Sequence, residues 1–235
     1  VWDIPNRIFC RLFGGFLLYS AYLEAKMSEL LNSKGFNDWA DGYDRSTARS
    51  DEDGSYPFAG YNDILNEIFR RITERGAKDV LDIGFGTGVL TARLYAHDCR
   101  ILGQDFPERM IALAQEKMPE ATLVCGDFTK GLAAELKARQ YDAIVATYSL
   151  HHLTDEQKIV FIRDLLPLLR EGGWLYIGDV AFAERRELAA CRAQSGDRWD
   201  DAEIYFVYDE LKAAFPDLRF DRLSPCAGIL SLQKK

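Results

Sequence analysis

Between Val80 and Leu94 the chain reads VLDIGFGTGVLTARL, with Gly84, Gly86 and Gly88 at alternating positions between an apolar run and a helical pattern. Glycine at such a place lets a ligand rest on the backbone, because no Cβ stands in the way, and permits positive φ. Two acids accompany it. Asp82 closes the apolar run just ahead of the glycines, and Asp105 ends the next apolar run, ILGQD. A carboxylate about twenty residues beyond a glycine loop can accept hydrogen bonds from both hydroxyls of a ribose. His151 and His152 are two of only three histidines and follow the run YDAIVATYSL. An imidazole there, with its pKa near neutrality, can take a proton from a nucleophile. The third, His97, falls past a helical pattern and reads as a surface residue.

The spacing narrows the ligand. A dinucleotide fingerprint, G-x-G-x-x-G/A, would need its third small residue at position 89, and Val89 stands there. A nicotinamide cofactor is therefore disfavoured, although Asp105 alone would suit one.

These residues need a frame. Apolar runs at DVLDIG, RILGQD, ATLVCGD, YDAIVATYSL and WLYIGDVAF read as five buried strands. Helical patterns lie between them: VLTARLYA, ERMIALAQEKM ahead of Pro119, KGLAAELKA, and QKIVFIRDLLPLLREGG with glycine at its end. Strands separated by single helices imply right-handed crossovers and a mostly parallel sheet covered on both faces. After the helical stretch YDELKAAF, the runs LRFDRL and AGILSLQ are parted only by SPC, which is too short for a crossover and makes a hairpin. Ahead of the first strand, GYNDILNEIFRRITER places Ile64, Leu65, Ile68, Phe69 and Ile72 at helical spacing, with Gly76 after it. The predicted fold is α/β: a single Rossmann-like domain with a seven-stranded, mostly parallel sheet, helices on both faces and a C-terminal antiparallel hairpin.

The 235 residues suffice for one such domain, and 48% hydrophobic with 28% charged residues is an ordinary globular balance. A net charge of −8 argues against a broad nucleic-acid footprint, which needs clustered Lys and Arg. Five scattered cysteines, Cys10, Cys99, Cys125, Cys191 and Cys226, show no C-x-x-C spacing and read as reduced thiols of a cytoplasmic protein, with no metal site expected. Residues 1–26 carry Arg7, Arg11 and an apolar run from Leu12 to Leu23 that is too short to span a bilayer and lacks an A-x-A cleavage site. Met27 is read as the native start, residues 1–35 as an N-terminal extension and 36–235 as the domain.

The pattern D-x-G-x-G-x-G from Asp82 to Gly88 resembles the first motif of class I S-adenosylmethionine-dependent methyltransferases, and the later segments extend the likeness over residues 36–235. Small bacterial members share the W-A-x-x-Y-D and Y-x-x-H-H-L patterns, seen here at Trp39 to Asp44 and Tyr148 to Leu153. The resemblance implies S-adenosylmethionine as cofactor. It places Gly84 and Gly86 under the methionine and ribose, counts Gly88 among the cofactor-binding residues, and sets Asp82 near the methionine amino group and Asp105 on the ribose. It sets Phe106 against the adenine, Asp127 and Phe128 around that base, and Thr147 beside the methionine. Tyr43 would close over the cofactor. His151 and His152 would face the acceptor, one of them acting as a base where an acidic proton must leave. Phe85 departs from the small or polar residue common at its position. The implied partner is a small-molecule methyl acceptor, with neither membrane nor nucleic acid; nothing in the residues sets an oligomeric state. Two alternatives stay open. One is an RNA or protein methyltransferase, disfavoured by the acidity and by TYSL where N-P-P-Y would stand; the other is a non-catalytic cofactor-binding module.

Overall fold

A computed structural model describes residues 55–235. Tyr43, the extension before residue 36 and the W-A-x-x-Y-D pattern lie outside the described residues.

The chain enters through helix α1 (Tyr61–Glu74), whose Ile64, Leu65, Ile68 and Ile72 are buried on one side. Strand and helix then alternate: β1 (Asp79–Ile83), α2 (Val89–Tyr95), β2 (Arg100–Asp105), α3 (Glu108–Lys117), β3 (Thr122–Cys125), α4 (Ala134–Lys137) and β4 (Tyr141–Thr147). Next come α5 (Asp155–Leu165), β5 (Leu169–Phe182), α6 (Arg185–Ser195), β6 (Phe206–Val207), α7 (Tyr208–Ala214), β7 (Arg219–Arg222) and β8 (Ala227–Gln233). The sheet runs β3-β2-β1-β4-β5-β8-β7, with the two-residue β6 beside the end of β5. Every pairing is parallel except β5–β8 and β7–β8. The predicted seven strands are this path, and the hairpin is present, with β8 inserted between β5 and β7.

Two apolar layers hold helices on both faces. One contains Ile64, Ile68, Leu90, Leu94 and Ala114 from α1, α2 and α3. The other contains Leu136, Phe161, Ile162, Leu165 and Leu211 from α4, α5 and α7. β1, buried along its whole length, serves both layers. Its neighbour β4 ends at the same level, Ile83 pairing with Ala146, so the loops after β1 and β4 emerge side by side. That is where an open α/β sheet carries its ligand.

One local expectation needs correction. The helix expected to run through Gly173 ends at Leu165: Pro167, which has no N–H to donate, forces a tight 3₁₀ turn over Leu166–Leu168. Arg170 and Glu171 belong instead to β5, which passes a bulge at Gly172 (φ +77°) with a register shift opposite Tyr141 and Ala143. The segment between β5 and α7 contains α6 and β6. Among the described residues no helix is long and apolar enough to cross a membrane.

Candidate active site

A cavity opens over the carboxyl ends of β1, β2 and β4. Its floor is the glycine loop, where Gly84, Gly86 and Gly88 all have positive φ, at 69°, 56° and 77°. Their surroundings differ. A Cβ on Gly84 would sit 2.4 Å from Cβ of Ser149, whose hydroxyl donates to the Ile83 carbonyl at 2.8 Å. Gly84 therefore lets β1 and the loop after β4 close on each other. Gly88 caps α2 and lies against Ala114 and Met118, so it serves helix packing and not the cavity surface. Only Gly86 presents open space, with no protein atom within 4 Å of where its Cβ would stand.

Asp82 and Asp105 both line this floor. Oδ2 of Asp82 accepts from the Thr91 hydroxyl, while its Oδ1 is buried without a partner. Burial pushes the Asp82 carboxyl up to about 7, against the Thr91 hydrogen bond and with help from the Asp105 charge. Asp105 accepts from the Gly86 N–H at 2.6 Å and the Phe106 N–H at 2.7 Å, yet burial still raises it to about 6. Phe106, Phe128 and Thr147 line the same cavity. Asp127 stands outside that lining: its carboxylate accepts from the Thr129 N–H and hydroxyl and pairs with Lys130 at 3.1 Å, capping the turn at Phe128.

The same cavity is also lined by Phe58, Tyr61, Tyr148, His151, His152 and Glu203. The rings of Phe58, Tyr61 and Tyr148 pack together, with centroids 5.1 to 5.9 Å apart. Tyr148 takes a φ of +50°, costly for a side chain of its size, to make the bend that follows β4. His151, 6% exposed, bonds through Nδ1 to Oδ1 of Asp179 on β5 at 2.7 Å, and its Nε2 lies 3.4 Å from Oε1 of Glu203. Burial disfavours the imidazolium, but the two carboxylates outweigh it and hold the His151 pKa above the usual histidine value. Next to it, burial and the His151 charge drive His152 down to about 3. Glu203 is raised, chiefly by burial. Its Oε2 accepts from the Tyr205 hydroxyl at 2.6 Å, and Tyr205 in turn bonds Tyr56.

Asp179 and Glu203 escape a reading of spacing alone. Asp179 has only an aspartate within the apolar run WLYIGDVAF as its sequence signal, and Glu203 lies in a segment without apolar periodicity. His97 is exposed, against the Phe69 ring.

A family model described as a methyltransferase domain matches residues 80–173. An uncharacterized methyltransferase of Geobacillus sp. strain WCH70 is 34% identical over 193 residues, 79% of this chain and 87% of the relative. A second, from Anoxybacillus flavithermus, is 37% identical over 160 residues, covering 68% of this chain and 72% of its own length. The chain belongs to the class I S-adenosylmethionine-dependent methyltransferases. Among solved structures, magnesium protoporphyrin IX methyltransferase from Synechocystis PCC 6803, with bound S-adenosylhomocysteine, shares the fold at a TM-score of 0.63 and 18% identity. The alignment spans 90% of this chain and all of that one.

The methyltransferase's floor fits the family cofactor on its own chemistry. The partnerless Asp82 Oδ1 suits a cationic amino group, and the bare backbone at Gly86 leaves room for a nucleoside above it. Asp105, though it already accepts two backbone N–H groups, retains lone pairs for ribose hydroxyls. When bound, S-adenosylmethionine supplies a methyl group made electrophilic by its sulfonium.

Proposed function

We propose that this methyltransferase transfers the methyl group to a small-molecule acceptor seated against Phe58, Tyr61 and Tyr148, while Asp82, Gly84, Gly86, Asp105, Phe106, Phe128 and Thr147 hold the cofactor. His151 and His152 prepare the acceptor. The single observation that carries this reading is one cavity lined both by the acids and glycines that follow β1 and β2 and by aromatic rings with two imidazoles. The acids and glycines meet the needs of a nucleoside with an amino acid tail. The aromatic rings, with two imidazoles, surround a nucleophile and exclude water, which is what alignment of an acceptor with an electrophilic methyl requires. The net charge of −8 supports a small acceptor over RNA.

The test is conversion of the cofactor to S-adenosylhomocysteine in the presence of a fractionated cell extract, with products read by mass. A gain of one CH₂ in the low-mass fraction is expected. Asp105→Ala should weaken cofactor binding by about 1.5–3 kcal/mol, the range for hydrogen bonds to a charged group. Methyl groups found only in the RNA or protein fractions would overturn the acceptor assignment, and cofactor bound without turnover in any fraction would favour a binding module.

A further inference from the structure

We propose that His151, His152 and Glu203 form a site for one divalent transition-metal ion, zinc by its donor set, in that cavity. Its use in catalysis rests on the acceptor site argued above; the binding itself does not.

Each of the three residues offers a ligand atom, and these atoms all lie within 4.8 Å of one another. Two come from the turn Leu150–His152 after β4, and the third from the segment leading into β6. The tie is a tertiary one: the Ile204 N–H donates to the His151 carbonyl at 2.8 Å, fixing the Glu203 segment over the histidine turn.

The orientation of His151 is the strongest observation. Asp179, fully buried, receives its Nδ1–H at 2.7 Å in the neutral tautomer, which leaves the Nε2 lone pair facing Glu203 Oε1 at 3.4 Å. When His151 is neutral two acceptors face each other across that gap, and a cation between them, a proton or a metal ion, relieves the repulsion. A carboxylate on the far nitrogen of a histidine is the usual support of a metal ligand. Glu203 is supported in the same way, since its other oxygen is held by the Tyr205 hydroxyl at 2.6 Å. Two ligands on a tetrahedral zinc at bond lengths of about 2.0–2.2 Å are separated by about 3.4 Å, as His151 Nε2 and Glu203 Oε1 already are; the other ligand pairs, within 4.8 Å, would draw together where they are wider as the ion binds. Lys158, the nearest buried cation, is engaged elsewhere: its ammonium donates to the Ile204 carbonyl and to Asp155.

The donor set of two imidazoles and a carboxylate suits zinc or cobalt better than calcium or magnesium, which prefer all-oxygen ligands. Three protein ligands facing a cavity leave a further position to it, as in catalytic and unlike structural zinc sites. An acceptor hydroxyl or thiol on that position would lose its proton to solvent more readily, and the resulting anion would form its bond to the methyl as the sulfonium C–S bond breaks and S-adenosylhomocysteine leaves.

The experiment uses the whole chain, freed of metal by chelation and dialysis. Titration with zinc in a calorimeter should show one ion per chain at micromolar affinity or tighter, and cobalt(II) should give the visible absorption of a four- or five-coordinate nitrogen and oxygen site. His152→Ala and Glu203→Gln should each weaken binding at least tenfold while circular dichroism keeps its native form, and Cys125→Ser should leave binding unchanged. Absence of stoichiometric binding, or binding that survives both cavity variants, would overturn the proposal. Should either variant not fold, the His151 Nε2 resonance of the unaltered protein decides: it shifts on adding zinc if the site is real and stays in place if a proton is the only cation held there.

Discussion

At the scale of single residues, the glycine loop is governed by two carboxyls whose affinity for protons folding raises. Asp82 at about 7 and Asp105 at about 6 lie above the ordinary carboxylate range, so the native chain keeps protons that the unfolded chain has lost. The sign follows. Stability without cofactor falls as pH rises from about 4 to about 7, because the unfolded state binds fewer protons over that interval. Cofactor binding calls for the opposite form, since an ammonium and ribose hydroxyls are best met by carboxylates. Affinity is therefore expected to rise between about pH 5.5 and about 8, with proton release on binding, measured by calorimetry in buffers of differing ionisation heat. A flat affinity with no proton release would refute it. Both acids were legible in the sequence because each ends a buried strand beside the loop it serves. Asp179 and Glu203 were not, since their meaning comes from His151, which lies 28 residues from Asp179 in the chain.

At the scale of elements, the turn from β1 into α2 divides its labour among glycines that look alike in sequence. Alanine at either Gly84 or Gly86 meets a positive φ and costs about 1–2 kcal/mol for that alone. At Gly84 the new methyl also strikes Ser149 Cβ, an atom fixed to the backbone, so Gly84→Ala should lower the melting temperature well beyond the conformational cost. At Gly86 the methyl enters open space on the cavity floor. Gly86→Ala should fold with only that modest loss and weaken cofactor binding at least tenfold, about 1.4 kcal/mol or more. Paired melting curves and binding titrations separate the two, and equal effects at both positions would contradict this division. The alternation of elements was readable because strands buried on both faces produce continuous apolar runs. α6 was not: its sequence, RRELAACRAQS, is polar on most sides and buries only Ser195. The segment that follows it is held by rings distant in sequence, Tyr56 stacked on Trp199 at 4.9 Å and Trp199 edge-on to Tyr205.

At the scale of the whole molecule, the C-terminal strand joins the two apolar layers without touching the cavity. Alternate residues of β8 point to opposite faces, so Ile229 packs in the layer of α1 and α2 while Leu230 packs in that of α5 and α7. Both are fully buried. Truncating either to alanine should cost about 2–5 kcal/mol, and in a domain of this size lower the melting temperature by on the order of 5–15 °C. The site lies over the other end of the sheet's connections, on loops after β1, β2 and β4, and neither residue lines it. Cofactor affinity at a temperature where each variant is folded should thus equal that of the unaltered chain. Because the cofactor binds only the folded form, a concentration 100-fold above Kd should return about 2.7 kcal/mol to both variants, raising their melting temperatures by the same increment as in the parent. A cofactor-induced rise that shrinks in Ile229→Ala but not in Leu230→Ala would instead mean that the α1 layer, which carries Tyr61 and Leu65 into the cavity wall, transmits packing defects to the site.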